Sequence, residues 1–517
     1  MRRILVYPIL FAIFPILFFF SYNKSELSLG DGGFLLALGV ALLASSVLWL
    51  SLSLILRSGR KAALIVSLFA ILFFSYGRVH DISAFNQFGI KVAGIAIGPD
   101  KLLLSIWGLA LLGGSFLIIR ARRDWKNLNK FLNIVSISLI VISLADIIPY
   151  KIQEAKIVMP NASDSSVNTS KSGVTSTGEL PDIYYLIFDR YANEQVLKDY
   201  VGFDNSEFIS FLKKEGFYVA SKSAANYPRT HVSLPSSLNM EHLTTLTASI
   251  DKNLSSAEPL FQLIENNKVM QFLKSQGYKY IHLGDEWAGT WRNRYADIDI
   301  HYTGDFGGEF ITALLKTTLY YPIAKKISIG KLDDRELKRE KILYKFDKLT
   351  EIPEIAGPKF VFAHFLLPHD PFVFDQNGGE VSEKDDNQSN IKAYLNQLIF
   401  ANKKIEELIP KILAKSKRPP IIVIQSDEGP FRFVAGPWNG SADAIRAHAL
   451  ILNAYFLPGI KKTGLYQTIT PVNSFRLIFN DYFGTNHKLL PDDIYTIPND
   501  KLPYQYTNVT GEVRSIK

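Results

Sequence analysis

Five nearly uncharged apolar runs before residue 150 constrain this 517-residue chain more than any other feature of its sequence. They cover residues 4–21, 33–56, 62–78, 101–119 and 131–149. Each run approaches the roughly 20 residues that an α-helix needs to cross about 30 Å of hydrocarbon. Five such runs joined by short loops match a bilayer better than the interior of a soluble protein. We therefore expect a five-helix transmembrane anchor over residues 1–150.

Two other interpretations of these runs fit the sequence less well. Arg2 and Arg3 precede the first run, as they would in a signal peptide, but residues 18–23 (Phe-Phe-Phe-Ser-Tyr-Asn) offer no small-x-small cleavage site. Buried helices of a soluble protein could explain one uncharged run, but not five in succession. The third run is the shortest of the five.

The charges of the connecting loops predict the orientation of the anchor. Alternate loops on one side carry ten basic residues against the single acidic residue Asp124, and the loops on the other side have no cationic excess. The ten are Arg2, Arg3, Arg57, Arg60, Lys61, Arg120, Arg122, Arg123, Lys126 and Lys130. Cytoplasmic loops are the ones enriched in Lys and Arg. An odd number of spans then places everything after residue 150 outside the cytoplasm, on the periplasmic or cell-surface side.

The same charges account for the basic character of the chain. Its net charge is +8, and the loops assigned to the cytoplasm already supply +9, so the remainder is close to neutral. No basic surface is left to attract nucleic acid. Cysteine is absent, which is compatible with an oxidising compartment.

Beyond the anchor, the composition changes twice. Residues 151–180 are rich in Ser, Thr, Gly and Asn, which favours a flexible linker. Residues 181–517 alternate continuous apolar strands with amphipathic helices. The predicted strands are Ile183–Phe188, Tyr280–Leu283, Lys359–Phe365, Pro420–Gln425 and Leu452–Leu457; the predicted helices are Ser206–Glu215, Gln262–Gln276 and Asn390–Lys417. This pattern predicts an α/β domain with a mostly parallel sheet sandwiched by helices. Residues 310–345 fit it poorly, and Phe310–Ala324 could instead lie on the membrane surface or against the anchor.

Acidic and imidazole side chains follow three of the predicted strands. Asp189 follows the first, His364 and His369 follow the 359–363 stretch, and Asp427-Glu428 follow the 420–425 stretch. Ligands in open α/β sheets gather beyond the carboxyl ends of the strands, and these residue types bind metals. Each piece also has an ordinary explanation. Asp189 could cap a helix, Ser426–Gly429 could form a plain turn, and His364 could be a core histidine.

A nucleophile is suggested by the polar segment 225–240. Thr230 and Ser233 stand at a predicted helix start, where backbone N–H groups can also hold a phosphate. The simpler explanation is that either residue serves as the helix N-cap.

Taken together, these segments resemble the alkaline phosphatase/sulfatase superfamily, most closely its membrane-bound branch of lipoteichoic acid synthases and phosphoethanolamine transferases. The matching residues are Ile183–Asp189, Thr230-His-Val-Ser233-Leu, His364-Phe-Leu-Leu-Pro-His369-Asp-Pro371 and Ser426-Asp427-Glu428-Gly429. The resemblance covers roughly residues 181–460, and the helical anchor before an external domain fits the same branch.

The resemblance implies a divalent metal, a covalent nucleophile and a substrate-contacting histidine. Asp189 and Asp427 match metal ligands, Thr230 matches the nucleophile and a metal ligand, and His369 matches the histidine. The candidate substrate contacts are His364, Arg229 and His448. His231 is a further candidate for donating a hydrogen bond to the phosphate. Relatives carry His where this chain has Glu428, which as a metal ligand would favour Mn²⁺, Mg²⁺ or Ca²⁺ over Zn²⁺. Sulfatases of this superfamily use a formylglycine made from Cys or Ser, so Thr230 disfavours sulfate ester hydrolysis.

These observations predict a membrane-anchored phospho-group transferase, of phosphoglycerol or phosphoethanolamine type. Its donor would be a membrane lipid and its acceptor an envelope glycan or lipid. Two alternatives stay open. One is a phosphodiesterase or phosphatase that uses water, and the other is an inactive lipid-binding or sensor protein, for which Glu428 is the main argument. The sequence leaves the oligomeric state unknown.

Overall fold

The structure is a computed structural model of the whole chain. It describes residues 5–24, 32–80, 90–92, 95–122, 125–155, 180–285, 287, 289–302, 308–327, 334–382, 390–430, 440–460 and 464–515. Most of the predicted linker, residues 156–179, lies outside this description, whereas its first residues, 151–155, are helical. The chain divides into two compact units. One comprises Met1–Lys156 and Gly304–Asp333, and the other comprises Ile157–Thr303 and Asp334–Lys517.

The first unit consists mainly of apolar helices. They are α1 (Tyr7–Tyr22), α2 (Gly33–Leu56), α3 (Gly59–His80), α4 (Pro99–Arg120) and α5 (Lys126–Ala155), with a short antiparallel pair β1 (Ile90–Val92) and β2 (Ile95–Ile97) between α3 and α4. Four of these helices, α2 to α5, are long and apolar enough to cross a membrane, and α1 is a shorter apolar helix of 16 residues. The N-terminal apolar helices predicted from the sequence are therefore confirmed, with four rather than five of full length.

A later stretch of the chain completes this helical unit. Helices α12 (Gly308–Lys316) and α13 (Tyr320–Ile327) belong to it. Phe310 is fully buried, with its ring 5.5 Å from that of Phe19 and 5.6 Å from that of Phe34. The Gly77 N–H donates to the Thr317 carbonyl at 3.1 Å, and a Cβ at Gly77 would lie only 2.6 Å from the Thr317 Cα. The glycine thus permits the close approach of the two backbones.

The second unit is built on a seven-stranded sheet with the order β4-β9-β8-β3-β7-β5-β6. Its strands are β3 (Ile183–Phe188), β4 (Tyr218–Val219), β5 (Lys279–Leu283), β6 (Ile298–Asp299), β7 (Lys359–Phe365), β8 (Ile421–Gln425) and β9 (Asn453–Phe456). Strands β8, β3, β7, β5 and β6 run parallel, whereas β9 and β4 are antiparallel to their neighbours. The mostly parallel sheet predicted from the sequence is confirmed.

Helices cover both faces of the sheet. They are α6 (Glu194–Val201), α7 (Ser206–Lys214), α8 (Thr230–Asn239), α9 (Leu243–Leu246), α10 (Glu258–Glu265), α11 (Lys268–Ser275), α14 (Asp334–Glu351), α15 (Ile391–Lys415), α16 (Ala442–Ala449), α17 (Pro471–Phe483) and α18 (Thr510–Arg514); a small β10–β11 pair (Tyr495–Thr496, Thr507–Asn508) lies apart. Every residue of β3 is buried, because alternate side chains enter the cores on opposite faces.

Two local predictions from the sequence differ from the structure. The single helix expected over Gln262–Gln276 is two helices, α10 and α11, separated by Asn266 and Asn267. The Asn267 side chain accepts from the Met270 N–H at 2.8 Å and so starts α11 anew. Within the poorly fitting segment 310–345, the structure places the beginning of α14, a highly charged helix.

The insertion 304–333 gives a test of how the second unit is attached. We expect that cutting the chain at a protease site introduced between residues 160 and 175 leaves the C-terminal fragment in the membrane fraction, because α12 and α13 pack with the anchor helices. The measurement is sedimentation of the cleaved protein followed by immunoblotting. The comparison is the same cut in a Phe310→Asp, Leu314→Asp variant, in which the substitutions weaken this packing. Complete release of the wild-type fragment into the soluble fraction would contradict the prediction.

Candidate metal centre

The register of the central strands brings the predicted site residues to one edge of the sheet. Strand β3 lies between β7 and β8, and Ile187 pairs with His364 on one side and with Gln425 on the other. The Asp189 N–H donates to the Phe365 carbonyl at 3.0 Å. The residues that follow three adjacent parallel strands therefore meet, as expected for a ligand site in an open α/β sheet.

Two groups of side chains at this edge could each hold a metal ion, and they share Asp189. One group is Asp189, His364 and Asp427, and the other is Asp189, His369 and Glu428. Within each group the candidate ligand atoms lie within 4.8 Å of one another. The Nε2 atoms of His364 and His369 are each 3.9 Å from Asp189 Oδ2. These distances are too long for hydrogen bonds and leave room for an ion between the atoms.

Unsatisfied polar atoms mark the first group as the better-fitting metal site. Asp189 Oδ1, both carboxylate oxygens of Asp427 and His364 Nε2 are buried without a hydrogen bond of ordinary geometry among the described residues. Buried polar atoms are normally paired, and a carboxylate without partners is costly. Four such atoms in one cluster, three carboxylate oxygens and one imidazole nitrogen, are the donor set that a divalent cation would satisfy.

Burial and neighbouring carboxylates raise the pKa values of the three acids at this edge. Burial, followed by the charges of Asp427 and Glu428, raises the pKa of the Asp189 carboxyl well above its usual value. Burial and Glu428 raise the pKa of Asp427 to about 7. Burial also raises the pKa of Glu428, although Arg190 and Arg229 act in the opposite direction. A bound cation would remove this repulsion and hold the acids ionised.

Both histidines of the edge are neutral at neutral pH. Burial lowers the pKa of His364 to about 3, and burial together with the Arg190 and Lys338 charges lowers the pKa of His369 well below its usual value. Neutral imidazole is the form that binds metals. His364 Nδ1 is hydrogen-bonded to the Thr290 hydroxyl at 3.0 Å. Since His364 Nε2 has no such bond, His364 is only half satisfied as a core histidine.

Thr230 is the first residue of α8, and its side chain faces Asp427. The residue at the N-cap position is Arg229, whose side chain makes no capping hydrogen bond, so neither Thr230 nor Ser233 is the N-cap. The Thr230 hydroxyl lies close enough to Asp427 to lower the pKa of that carboxyl, although burial and Glu428 outweigh the effect. The Ser233 hydroxyl is buried one turn further along the helix.

The structure also excludes the ordinary explanations for two of these elements, a helix cap for Asp189 and a plain turn for the Asp-Glu-Gly segment. Helix α6 is capped by Asn193, whose side chain accepts from the Val196 N–H at 2.9 Å, and not by Asp189. Asp427 and Glu428 are both buried. A surface turn would leave such acids in water.

The remaining predicted residues lie at or beyond the rim of the site. Arg229 donates to Asp500 at 2.7 Å, and its charge reaches Glu428. His448 is buried on α16, and its carbonyl accepts from the Gly429 N–H at 2.8 Å; among the described residues its ring belongs to neither metal-capable group. A Cβ at Gly429 would lie 2.7 Å from this carbonyl oxygen, which requires glycine there. Burial, with Arg229, lowers the pKa of His231 to about 4.

Three cations beside the site were not predicted from the sequence. Arg190 directly follows Asp189 and pairs with Asp370 and Glu428. Lys338 and Lys345 are buried on α14. Lys338 donates to the His369 carbonyl at 2.7 Å, and Lys345 donates to the His364 carbonyl at 2.7 Å.

Lys345 also forms a buried ion pair with Asp285, which follows β5 at the same sheet edge. Burial alone would raise the pKa of the Asp285 carboxyl, but Lys345 lowers it to about 2. Asp285 is thus neutralised by the side chain of Lys345, unlike Asp189 and Asp427.

Of the three cations, Arg190 could have been identified from the sequence, because it follows a predicted strand. Nothing local in α14 distinguishes its lysines from solvent-exposed ones.

A family model described as Sulfatase matches residues 198–472, more than half of the chain. The chain belongs to the sulfatase family. The resemblance to the alkaline phosphatase/sulfatase superfamily that the motifs indicated is therefore confirmed. Asp189 lies just before the matched region, whereas Thr230, His369 and Asp427 lie within it.

Three solved structures are distantly similar to this chain. The periplasmic domain of the phosphoethanolamine transferase EptC from Campylobacter jejuni is 12% identical, with 60% of this chain and 92% of that chain covered and a TM-score of 0.39. The zinc complex of the Escherichia coli EptC domain is 14% identical (65% and 95% covered, TM-score 0.41). A phosphonate monoester hydrolase of Agrobacterium radiobacter is 10% identical (61% and 80% covered, TM-score 0.39). No curated protein matches the chain.

The raised pKa of Asp427 predicts a pH-dependent gain of stability when its charge is removed. Its folded-state pKa of about 7 exceeds the usual 3.8, so stability present at acid pH is lost as the pH rises toward and through 7. In metal-free protein, Asp427→Asn should raise the melting temperature relative to wild type by about 4 °C or more near pH 8, and by less near pH 5.

Thermal unfolding in EDTA provides the measurement for Asp427→Asn. The control is Asp199→Asn on the exposed side of α6, for which the difference from wild type should be the same at both pH values. If the difference in melting temperature between Asp427→Asn and wild type does not grow with pH, the Asp427 carboxylate is not destabilised by burial and repulsion.

The hydrogen bond between Thr290 and His364 predicts a role for Thr290 in metal affinity. Partners on the second ring nitrogen orient metal-binding histidines, and their removal typically costs about tenfold or more in affinity. Thr290→Val should therefore weaken Mn²⁺ binding to the purified full-length protein about tenfold, and Thr290→Ser should restore it. Isothermal titration calorimetry measures both variants. Equal affinities of Thr290→Val and wild type would mean that this hydrogen bond does not support a ligand.

Proposed function

We propose that this protein is a membrane-anchored, metal-dependent phospho-group transferase that acts on an envelope lipid or glycan through a covalent phosphothreonine at Thr230. The observation that carries the proposal is the cluster of unsatisfied ligand atoms on Asp189, His364 and Asp427, with the Thr230 hydroxyl beside it. Membership of the sulfatase family supports the same chemistry. We place the N-terminus in the cytoplasm and residues 181–517 outside it, as the loop charges predict.

The ligands proposed for the cation are Asp189, Asp427, His364 and the Thr230 oxygen, and Glu428 is the further candidate from the sequence. A divalent cation, whether Mn²⁺, Mg²⁺, Ca²⁺ or Zn²⁺, would supply charge stabilisation to the phosphoryl oxygens and favour ionisation of a bound hydroxyl. The position of Thr230 at the start of α8 directs the first N–H groups of a ten-residue helix toward the same region. An oxyanion formed there is stabilised by fixed dipoles that need no rearrangement.

The proposed reaction has two steps that pass through the Thr230 oxygen. In the first step, Thr230 Oγ1 forms a bond to phosphorus of a phosphodiester head group while the bond to the lipid alcohol breaks. The lipid alcohol leaves with the proton that Thr230 gives up. In the second step, an acceptor hydroxyl attacks phosphorus and the bond to Thr230 breaks. The proton lost by the acceptor hydroxyl passes to the Thr230 oxygen, which restores the threonine.

His369 is the histidine best placed to assist these steps. Its side chain is 24% exposed, whereas the His364 side chain is fully buried, so of the two histidines His369 is the one that a substrate can reach from solvent. Its low pKa keeps the imidazole neutral, and a neutral imidazole can hydrogen-bond to a leaving or attacking oxygen. The apolar helices would keep the site close to a lipid donor.

Substitution of the nucleophile tests this function. Thr230→Ala should lower release of diacylglycerol from labelled phosphatidylglycerol or phosphatidylethanolamine by on the order of a thousandfold or more, because no covalent intermediate can form. Most of the Mn²⁺ affinity should remain, since the other ligands are intact. Thr245→Ala, at an exposed position on α9, is the matched control. Intact-mass spectrometry of the wild type should detect a head-group adduct that is missing in Thr230→Ala.

The outcomes separate the alternatives. Unchanged turnover in Thr230→Ala would rule out the proposed nucleophile. Diacylglycerol release with water as the final acceptor would identify a hydrolase rather than a transferase. A wild-type protein that binds no divalent metal would support a sensor or lipid-binding protein.

A further inference from the structure

Glu428 is the position at which the chain departs from the resembled family, and the structure gives it a partner. Arg190 Nε donates to Glu428 Oε1 at 3.3 Å, and Arg190 Nη1 pairs with Asp370. Both oxygens of Asp427 and one of Asp189 are unsatisfied among the described residues, whereas Glu428 Oε1 accepts from Arg190. The three acids of the edge therefore differ. Asp189 and Asp427 present bare oxygens, whereas Glu428 is engaged by an arginine.

The backbone at Arg190 is held in an unusual conformation directly after Asp189. Its φ is +66°, in the left-handed region that residues other than glycine rarely adopt. The Tyr394 hydroxyl donates to the Arg190 carbonyl at 2.9 Å. The Arg190 guanidinium is bound by Glu428 at Nε and by Asp370 at Nη1. Such backbone conformations persist only where surrounding contacts enforce them, and they cluster at functional sites.

The charge of Arg190 acts on four ionisable groups of the site. It opposes the raised pKa values of Asp189, Asp427 and Glu428, and it contributes to the lowered pKa of His369. The guanidinium therefore lies among these groups. Asp370 also contacts His369, because its backbone carbonyl is hydrogen-bonded to His369 Nδ1 while its carboxylate pairs with Arg190.

An anionic substrate needs this positive charge. The site carries the carboxylates of Asp189, Asp427, Glu428 and Asp370, and one divalent cation offsets only part of their charge. A phosphate ester that enters beside them meets net repulsion unless a fixed cation faces it. A planar guanidinium suits this purpose, because its N–H groups match two oxygens of a tetrahedral oxyanion.

We infer that Glu428 is a positioning residue for Arg190 rather than a metal ligand, and that the Arg190 guanidinium binds the tetrahedral oxyanion of the substrate, a phosphate ester. This inference deepens the proposed function and rests on it. Glu428 replaces the histidine of the resembled enzymes by anchoring a protein cation at the site. The competing arrangement uses the second metal-capable group. In it, Glu428 would give up its pair with Arg190 and bind an ion together with Asp189 and His369.

Separate measurements of metal and anion binding distinguish the two arrangements. The full-length protein in detergent is titrated with Mn²⁺, and the Mn²⁺-loaded protein is then titrated with inorganic phosphate, both by calorimetry. Glu428→Gln should keep its Mn²⁺ affinity within about threefold and lose about tenfold in phosphate affinity, the size expected for a charge-assisted hydrogen-bond network. Arg190→Gln should behave in the same way with a larger loss of phosphate affinity.

Two further variants keep the test decisive. Asp370→Asn removes the other support of Arg190 and replaces no member of either metal-capable group, so it should repeat the Glu428→Gln result even if Arg190→Gln folds poorly. Arg294→Gln removes the exposed pair with Glu265 and is the matched control, with no change expected in either titration.

The results that overturn the inference are specific. A loss of Mn²⁺ affinity in Glu428→Gln as large as that in Asp427→Asn would make Glu428 a metal ligand. Wild-type phosphate affinity in Arg190→Gln would exclude the guanidinium as the anion-binding group. Failure of the proposed function looks different, because Asp427→Asn would then bind Mn²⁺ as tightly as the wild type.

Discussion

Repulsion between buried carboxylates is the constraint on which the second unit of this protein depends. Asp189 and Asp427 follow adjacent parallel strands and are removed from water almost completely. Two such charges in a medium of low polarity are tolerated only if they are protonated, paired or bound to a cation. The surroundings meet this requirement in part, through the positive charges of Arg190 and Lys338. The part that they leave unmet is the clearest evidence for a metal.

Much of this arrangement could be predicted from the sequence, because the parallel sheet imposes simple geometry. Ile183–Phe188 is a continuous apolar run, as expected of a strand buried on both faces, and the residue after it is an acid. Strands β7 and β8, which flank β3, also end in polar residues, and the carboxyl ends of parallel strands lie at the same edge of a sheet. Strand order did not need to be known for this step. Only the parallel direction of the three strands was needed, and the lengths of their connections imply it.

The residues missed in the sequence depend on contacts between distant segments. Helix α14 carries Lys338, Lys341 and Lys345 on one side, a pattern that indicates a solvent-exposed face. All three lysines are buried, and two of them donate to the backbone carbonyls of the histidines, Lys345 to His364 and Lys338 to His369. Thr290 is equally inconspicuous until its hydroxyl is seen beside His364. No local periodicity encodes such partners, because only the folded chain brings them together.

The insertion of α12 and α13 into the helical unit affects the order in which the protein can be made. A chain emerging from the ribosome delivers α1 to α5 first, but Phe310 arrives only after β3, β4, β5 and β6 have been synthesised. Strand β7, the neighbour that joins β3 to β5, arrives later still. The helical unit therefore receives its last pieces while the central sheet is still incomplete. Until then, the apolar side chains that surround Phe310 must be covered by lipid or by a chaperone, and the two units cannot mature independently.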